Sequence, residues 1–144
     1  MAQMSLSDLS EKMQQIDFAM FFTRAANGAL AGRPMSNNGD VEYRGDSFFF
    51  SFENAHTIAD IERDAAVALS FAGKSGLLGS RPLFISVEGT AALIRDKKEF
   101  AAHWNKDLDQ WFEQGIDTPG VVLIRVHASR IHYWEGREEG EIRV

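Results

Sequence analysis

The sequence contains no cysteine, which removes disulfides, thiolate nucleophiles, iron–sulfur centres and cysteine-ligated zinc from consideration. It also lacks massed positive charge. Fifteen Lys and Arg stand against 21 Asp and Glu, a net charge of −6, and the short basic group Arg95, Lys97 and Lys98 is interrupted by Asp96. Neutralising nucleic-acid phosphates needs clustered Lys and Arg, so no nucleic-acid partner is expected. No charge-free apolar run approaches the roughly 20 residues of a membrane-spanning helix, so no membrane partner is expected either. The first nine residues lack a basic start followed by an apolar stretch. A cytoplasmic location without a signal peptide is the expectation.

Motifs that would announce a reaction are also scarce. No G-x-S-x-G elbow is present, so a hydrolytic triad has no support. His56, His103, His127 and His132 include no helical i, i+4 pair with a carboxylate, and no metal site is expected. Ala68 to Ser75 satisfies a relaxed phosphate-loop pattern, A-x-x-x-x-G-K-S. Strand-like residues nevertheless occupy the loop position, and Gly76, Gly79 and Pro82 prevent a helix from opening at Lys74, which reads as a turn residue.

What is present describes an ordinary globular chain. Its 144 residues suffice for one domain over 1–144 with its own core, and 44% apolar with 25% charged residues excludes a disordered polymer. Ser5 to Ile16 carries Leu6, Leu9, Met13 and Ile16 at helical spacing, and Ser5 with Asp8 forms a capping-box pattern. Phe18–Thr23 and Ala29–Met35 flank Asn27-Gly28, a hairpin signal. Asp46–Phe52 is so aromatic that it suits a strand covered on both faces.

Asn54–Asp64 then reads as a helix and Ala66–Ala72 as a strand. Leu83–Ile94 alternates cleanly, with Gly89 marking a bulge or kink. Phe100, Trp104, Leu108 and Trp111 predict a helix over 96–111. Val121–Val126 and Ile131–Trp134 read as the last strands, before a charged, loose tail that includes Glu138 and Glu139. The tally is a mainly β (α+β) fold: a six- to seven-stranded antiparallel barrel with N-terminal and accessory helices.

Two features admit a binding role. Arg33, on a strand beside rigid Pro34, offers a fixed fork for an anion; a surface ion pair is the competing reading. Trp104, Trp111 and Trp134 serve either packing or stacking on a planar ligand.

Five motifs follow in order from Phe21 to Gly136: F-F-T-R-A-A-N-G-A-L-A-G-R-P-M, F-F-F-S-F-E-N-A-H-T-I-A-D-I, F-I-S-V-E-G-T-A-A-L-I-R-D, H-W-N-K-D-L-D-Q-W-F-E-Q-G-I-D-T-P-G-V-V-L-I-R-V and I-H-Y-W-E-G. Together they resemble the pyridoxamine 5′-phosphate oxidase-like superfamily, particularly its general-stress branch. The resemblance implies a split β-barrel that forms a homodimer with FMN, or alternatively FAD, at the interface. It implies that Arg33, Pro34 and Met35 line the flavin ring or reach its phosphate, and that Phe50 and Ser51 contact the cofactor. Trp111 and Trp134 would cover the ring, at least one from the second protomer.

The family's usual Ser and Lys are replaced here by Ala55 and Thr57, leaving His56, Thr57 and a helix N-terminus as phosphate donors. The implied function is a flavin-dependent oxidoreductase acting on a small molecule. A non-catalytic flavin-binding or storage protein is the alternative.

Overall fold

The computed structural model describes residues 4–39, 41–73 and 81–144. Lys74 and the glycine-rich stretch after it lie outside the described residues. Helix α1 (Leu6–Met13) begins on the expected capping box, in which the Ser5 hydroxyl accepts from the Asp8 amide and the Asp8 carboxylate accepts from the Ser5 amide. Its Leu9 and Met13 then enter the core.

Seven strands follow, all antiparallel to their neighbours. They are β1 (Phe18–Arg24), β2 (Leu30–Ser36), β3 (Asp46–Phe52), β4 (Ala66–Ala72), β5 (Leu83–Ile94), β6 (Val121–Glu135) and β7 (Glu138–Ile142). They pair in the order β2-β1-β4-β5-β6-β3, and β7 also pairs with β6. Helices α2 (His56–Arg63) and α3 (Lys97–His103) are the accessory elements.

β6 organises the split. One of its edges runs along β5 for its whole length; the other is shared, β3 taking Val121–His127 and β7 taking Ile131–Glu135. Its first four residues are all buried. Val122 and Ile124 face the main core with Phe21, Phe49, Leu69 and Ile85. Val121 and Leu123 face a second cluster around Phe50, Phe100, Leu108 and Phe112. β3 is likewise covered on both sides, as its aromatic run predicts: Phe49 enters the main core and Phe50 the second cluster.

Three elements differ from the sequence-based reading. The expected helix over 96–111 stops at His103, because Trp104 takes an extended conformation and the Asn105 side chain caps a separate 3-10 helix, Lys106–Gln110. The two expected strands after residue 120 are one strand. The ladder shifts register at Glu88/Gly89, where Glu88 pairs with Arg130 and Gly89 with Ala128, leaving Ser129 as the extra residue. The charged tail is ordered as β7, since the exposed edge of β6 needs hydrogen-bond partners.

Candidate functional site

Strand alternation separates the residues singled out on β2. Arg33 and Met35 point to one face, where Met35 packs on the main core, and Pro34 points outward beside Met20. Arg33 reaches α2. Its Nη1 donates to Thr23 Oγ1 at 2.8 Å and to the Phe21 carbonyl at 3.4 Å, and its Nη2 lies 3.6 Å from Asp60 Oδ2. Thr23 in turn donates to Asp60 Oδ2 at 2.7 Å, while Arg63 donates to Asp60 Oδ1 at 2.7 Å. The ion-pair reading of Arg33 is therefore realised, yet its Nε has no hydrogen-bond partner among the described residues.

Asp60 and Thr23 were not legible as site residues. On sequence, Asp60 belongs to the polar side of α2; in the structure it is only 6% exposed. The available signal was a carboxylate three residues after Thr57 and flanked by Ile58 and Ile61, all of which are buried. Burial works to raise the pKa of Asp60. The hydrogen bonds from Thr23 and Arg63, with the charges of Arg63 and Arg33, outweigh it and hold the carboxyl below its ordinary value.

One turn earlier, about 5 Å along the helix, α2 starts without a side-chain cap because Ala55 occupies that position. The amides of His56 and Thr57 find no acceptor among the described residues. Thr57 is 6% exposed and its hydroxyl makes no hydrogen bond there. The Ser51 hydroxyl, at the end of β3 just before this helix, and the exposed His56 ring are likewise uncommitted. Ser51, His56 and Thr57 thus bring hydroxyl, ring and amide groups without partners among the described residues to the start of α2, and Arg33 reaches the same helix one turn further on, at Asp60. That is what an anion such as a phosphate ester requires.

The aromatic candidates fall elsewhere. Phe50 is buried against Phe100, Trp104 and Phe112, with ring centroids 4.6 Å apart for Phe50 and Trp104. Trp111 follows the 3-10 helix and is 54% exposed. Trp134 is 38% exposed, with one face stacked on His132 at 4.3 Å. His132 is held by Glu139 at 2.6 Å. Ser51 pairs with Val122, and Trp134 comes twelve residues later on the same strand. At about 3.3 Å per residue that is roughly 40 Å of strand. Trp134 and the partner of Ser51 thus lie near opposite ends of β6, whereas Arg33 stands in register, through β1, β4 and β5, with Ile131.

The outer sheet face exposes large apolar side chains on four strands, β1, β2, β5 and β6. Phe18, Met20, Leu30, Phe84 and Trp134 are all exposed there. Met20 lies between Pro34 and Ser70, and Phe84 between Ala72 and Trp134. Among the described residues no group of three His, Asp or Glu side chains is placed to hold a metal ion. No helix there is long and apolar enough to cross a membrane.

Comparison with known proteins gives three findings. The family model described as pyridoxamine 5′-phosphate oxidase like matches residues 5–144. Protein bli-3 of Neurospora crassa is 28% identical over 137 residues; the match covers 89% of this chain and 63% of that protein, so the chain spans less than two thirds of its curated relative. Among solved structures, a Clostridium acetobutylicum protein related to general stress protein 26 superposes with a TM-score of 0.79 at 14% identity, covering 96% of this chain and 94% of its own. General stress protein 26 of Bacillus anthracis does so with a TM-score of 0.73 at 21% identity, covering 92% and 93%. At these identities the structural likeness establishes the split-barrel fold.

Proposed function

The chain belongs to the pyridoxamine 5′-phosphate oxidase-like family, and from that premise we propose that it is a flavin-dependent oxidoreductase of the general-stress type. It acts as one domain over 1–144 and holds FMN between two copies of itself. The observation that carries this reading is the uncapped start of α2, where the His56 and Thr57 amides and the Ser51 and Thr57 hydroxyls have no partner among the described residues, with Arg33 one turn along at Asp60. Donors without acceptors suit a phosphate, so the residues present fit the charged end of FMN.

Pro34, Met35, Trp111 and Trp134 supply apolar surface for the ring, and Phe50 backs Ser51 from the second cluster. When bound, FMN would supply the hydride and electron transfer. A second copy is supported by the placement of Trp134 and the partner of Ser51 near opposite ends of β6, and by the large apolar side chains Phe18, Met20, Leu30, Phe84 and Trp134 exposed on the outer sheet face. Thr57 stands where the family usually has lysine. Losing that charge-assisted contact weakens FMN binding by about 1.5–3 kcal/mol.

Titrating the purified protein with FMN and with FAD, followed by flavin absorbance and by mass spectrometry of whatever copurifies, tests the reading. Saturable FMN uptake is expected; protein that ignores both flavins overturns it. Anaerobic NADPH then separates the two functional classes. Bleaching of the bound flavin marks an oxidoreductase. Flavin that stays oxidised marks a binding or storage protein, the reading favoured by threonine at position 57.

A further inference from the structure

Thr23 is 1% exposed on the core-facing side of β1, the last inward position before the strand ends, and a valine would fill it equally well by volume. A buried hydroxyl without partners costs free energy, and this one is satisfied twice. Asp60 can only accept, so the Thr23 proton must point at Asp60 Oδ2, 2.7 Å away. A guanidinium can only donate, so Arg33 Nη1 must deliver its hydrogen to the Thr23 oxygen at 2.8 Å. The relay runs one way, from Arg33 through Thr23 to Asp60, and each bond polarises the next.

Arg63 occupies the other Asp60 oxygen, which keeps the carboxylate facing β1. With its second hydrogen bond, to the Phe21 carbonyl at 3.4 Å, Nη1 is committed on both sides, while Nε is open. A guanidinium pinned along one edge and free along the other has lost much of its rotamer freedom before any ligand arrives.

From this geometry we propose that Thr23 is a positioning residue that aims the free edge of Arg33 at the phosphate of the bound flavin. The proposal rests on the flavin reading above. It assigns Thr23 no contact with the ligand.

The test uses the full chain as wild type, Thr23→Val, Arg33→Gln and the double variant, each titrated with FMN and with riboflavin, which has the same ring system and no phosphate. Thr23→Val is expected to weaken FMN binding about tenfold, the equivalent of about 1.4 kcal/mol, while riboflavin changes by less than about twofold. In the Arg33→Gln background the same substitution is expected to add nothing, since interaction through a shared partner is non-additive.

An equal loss for both flavins, a loss that persists without Arg33, or unchanged FMN affinity overturns the proposal. Should Thr23→Val fail to fold, Thr23→Ala and Thr23→Ser make the same comparison, one lacking the hydroxyl and the other keeping it. Wild-type protein that takes up neither flavin overturns the flavin reading itself, a result distinct from all of these.

Discussion

Asp60 is a buried carboxylate answered by one hydroxyl and two arginines, each of which keeps some contact with solvent. Its folded-state pKa is depressed, so it contributes stability above its unfolded pKa of about 3.9, and that contribution disappears as pH falls through the lower folded value. Asp60→Asn is expected to lower unfolding free energy by about 1–3 kcal/mol at pH 7, the usual range for leaving buried donors incompletely answered. Urea denaturation at pH 7 and near pH 3 should show the gap between the two proteins closing in acid. A gap that stays constant with pH would mean that the aspartate charge is not what stabilises the network. At this scale the sequence was only partly readable. Arg33 stood out because proline follows it, whereas Thr23 and Asp60 acquire their role from β1 and α2 packing face to face, which no local pattern records.

At the level of elements, the bulge in the β5–β6 ladder is where the glycine is required. A β-carbon added at Gly89 would fall on the carbonyl oxygen of His127, and main chain cannot swing aside as a flexible side chain can. Gly89→Ala is expected to destabilise by about 1–3 kcal/mol, typical of overpacking, measured as a lower denaturation midpoint at unchanged slope. An unchanged midpoint would show that the register shift absorbs the extra atom.

Gly89 announced itself because a glycine interrupts otherwise strict alternation. Where the reading failed, tertiary partners or local side-chain bonds decided the outcome. His127 to Arg130 has no apolar alternation, yet it remains strand because β5 continues beside it. Apolar residues at helical spacing ran through Trp104, but Asn105 bonds the Leu108 amide and Trp104 bonds Asp109, so a new turn begins there. The acidic tail pairs with β6, and its Glu139 and Glu141 answer His132 and Arg130.

For the whole molecule, the outer sheet face makes the most exposed claim. Met20 sits between Pro34 and Ser70 on that face. Met20→Lys changes nothing in the main core but introduces a charge into any contact that covers the face. Sedimentation is expected to show twice the 16.1 kDa chain for the wild type and a single chain for the variant, and on the proposed reading, with flavin held between two copies, FMN uptake falls in parallel. A wild type that sediments as one chain contradicts the shared site, and so does a variant that stays dimeric. The barrel, its strand count and its two-sided aromatic strand were legible in the pattern of apolar residues. The placement of Trp134 and the partner of Ser51 near opposite ends of one strand was not, because it depends on β6 being continuous.

The divided edge of β6 also bears on how the protein breathes. Its two halves answer to different neighbours, so β7 can peel from the far half without disturbing the rungs that β3 makes with the near half. On the flavin reading proposed above, fraying of β7 near Trp134 would loosen the aromatic cover over the ring while the start of α2 keeps its hold on the phosphate.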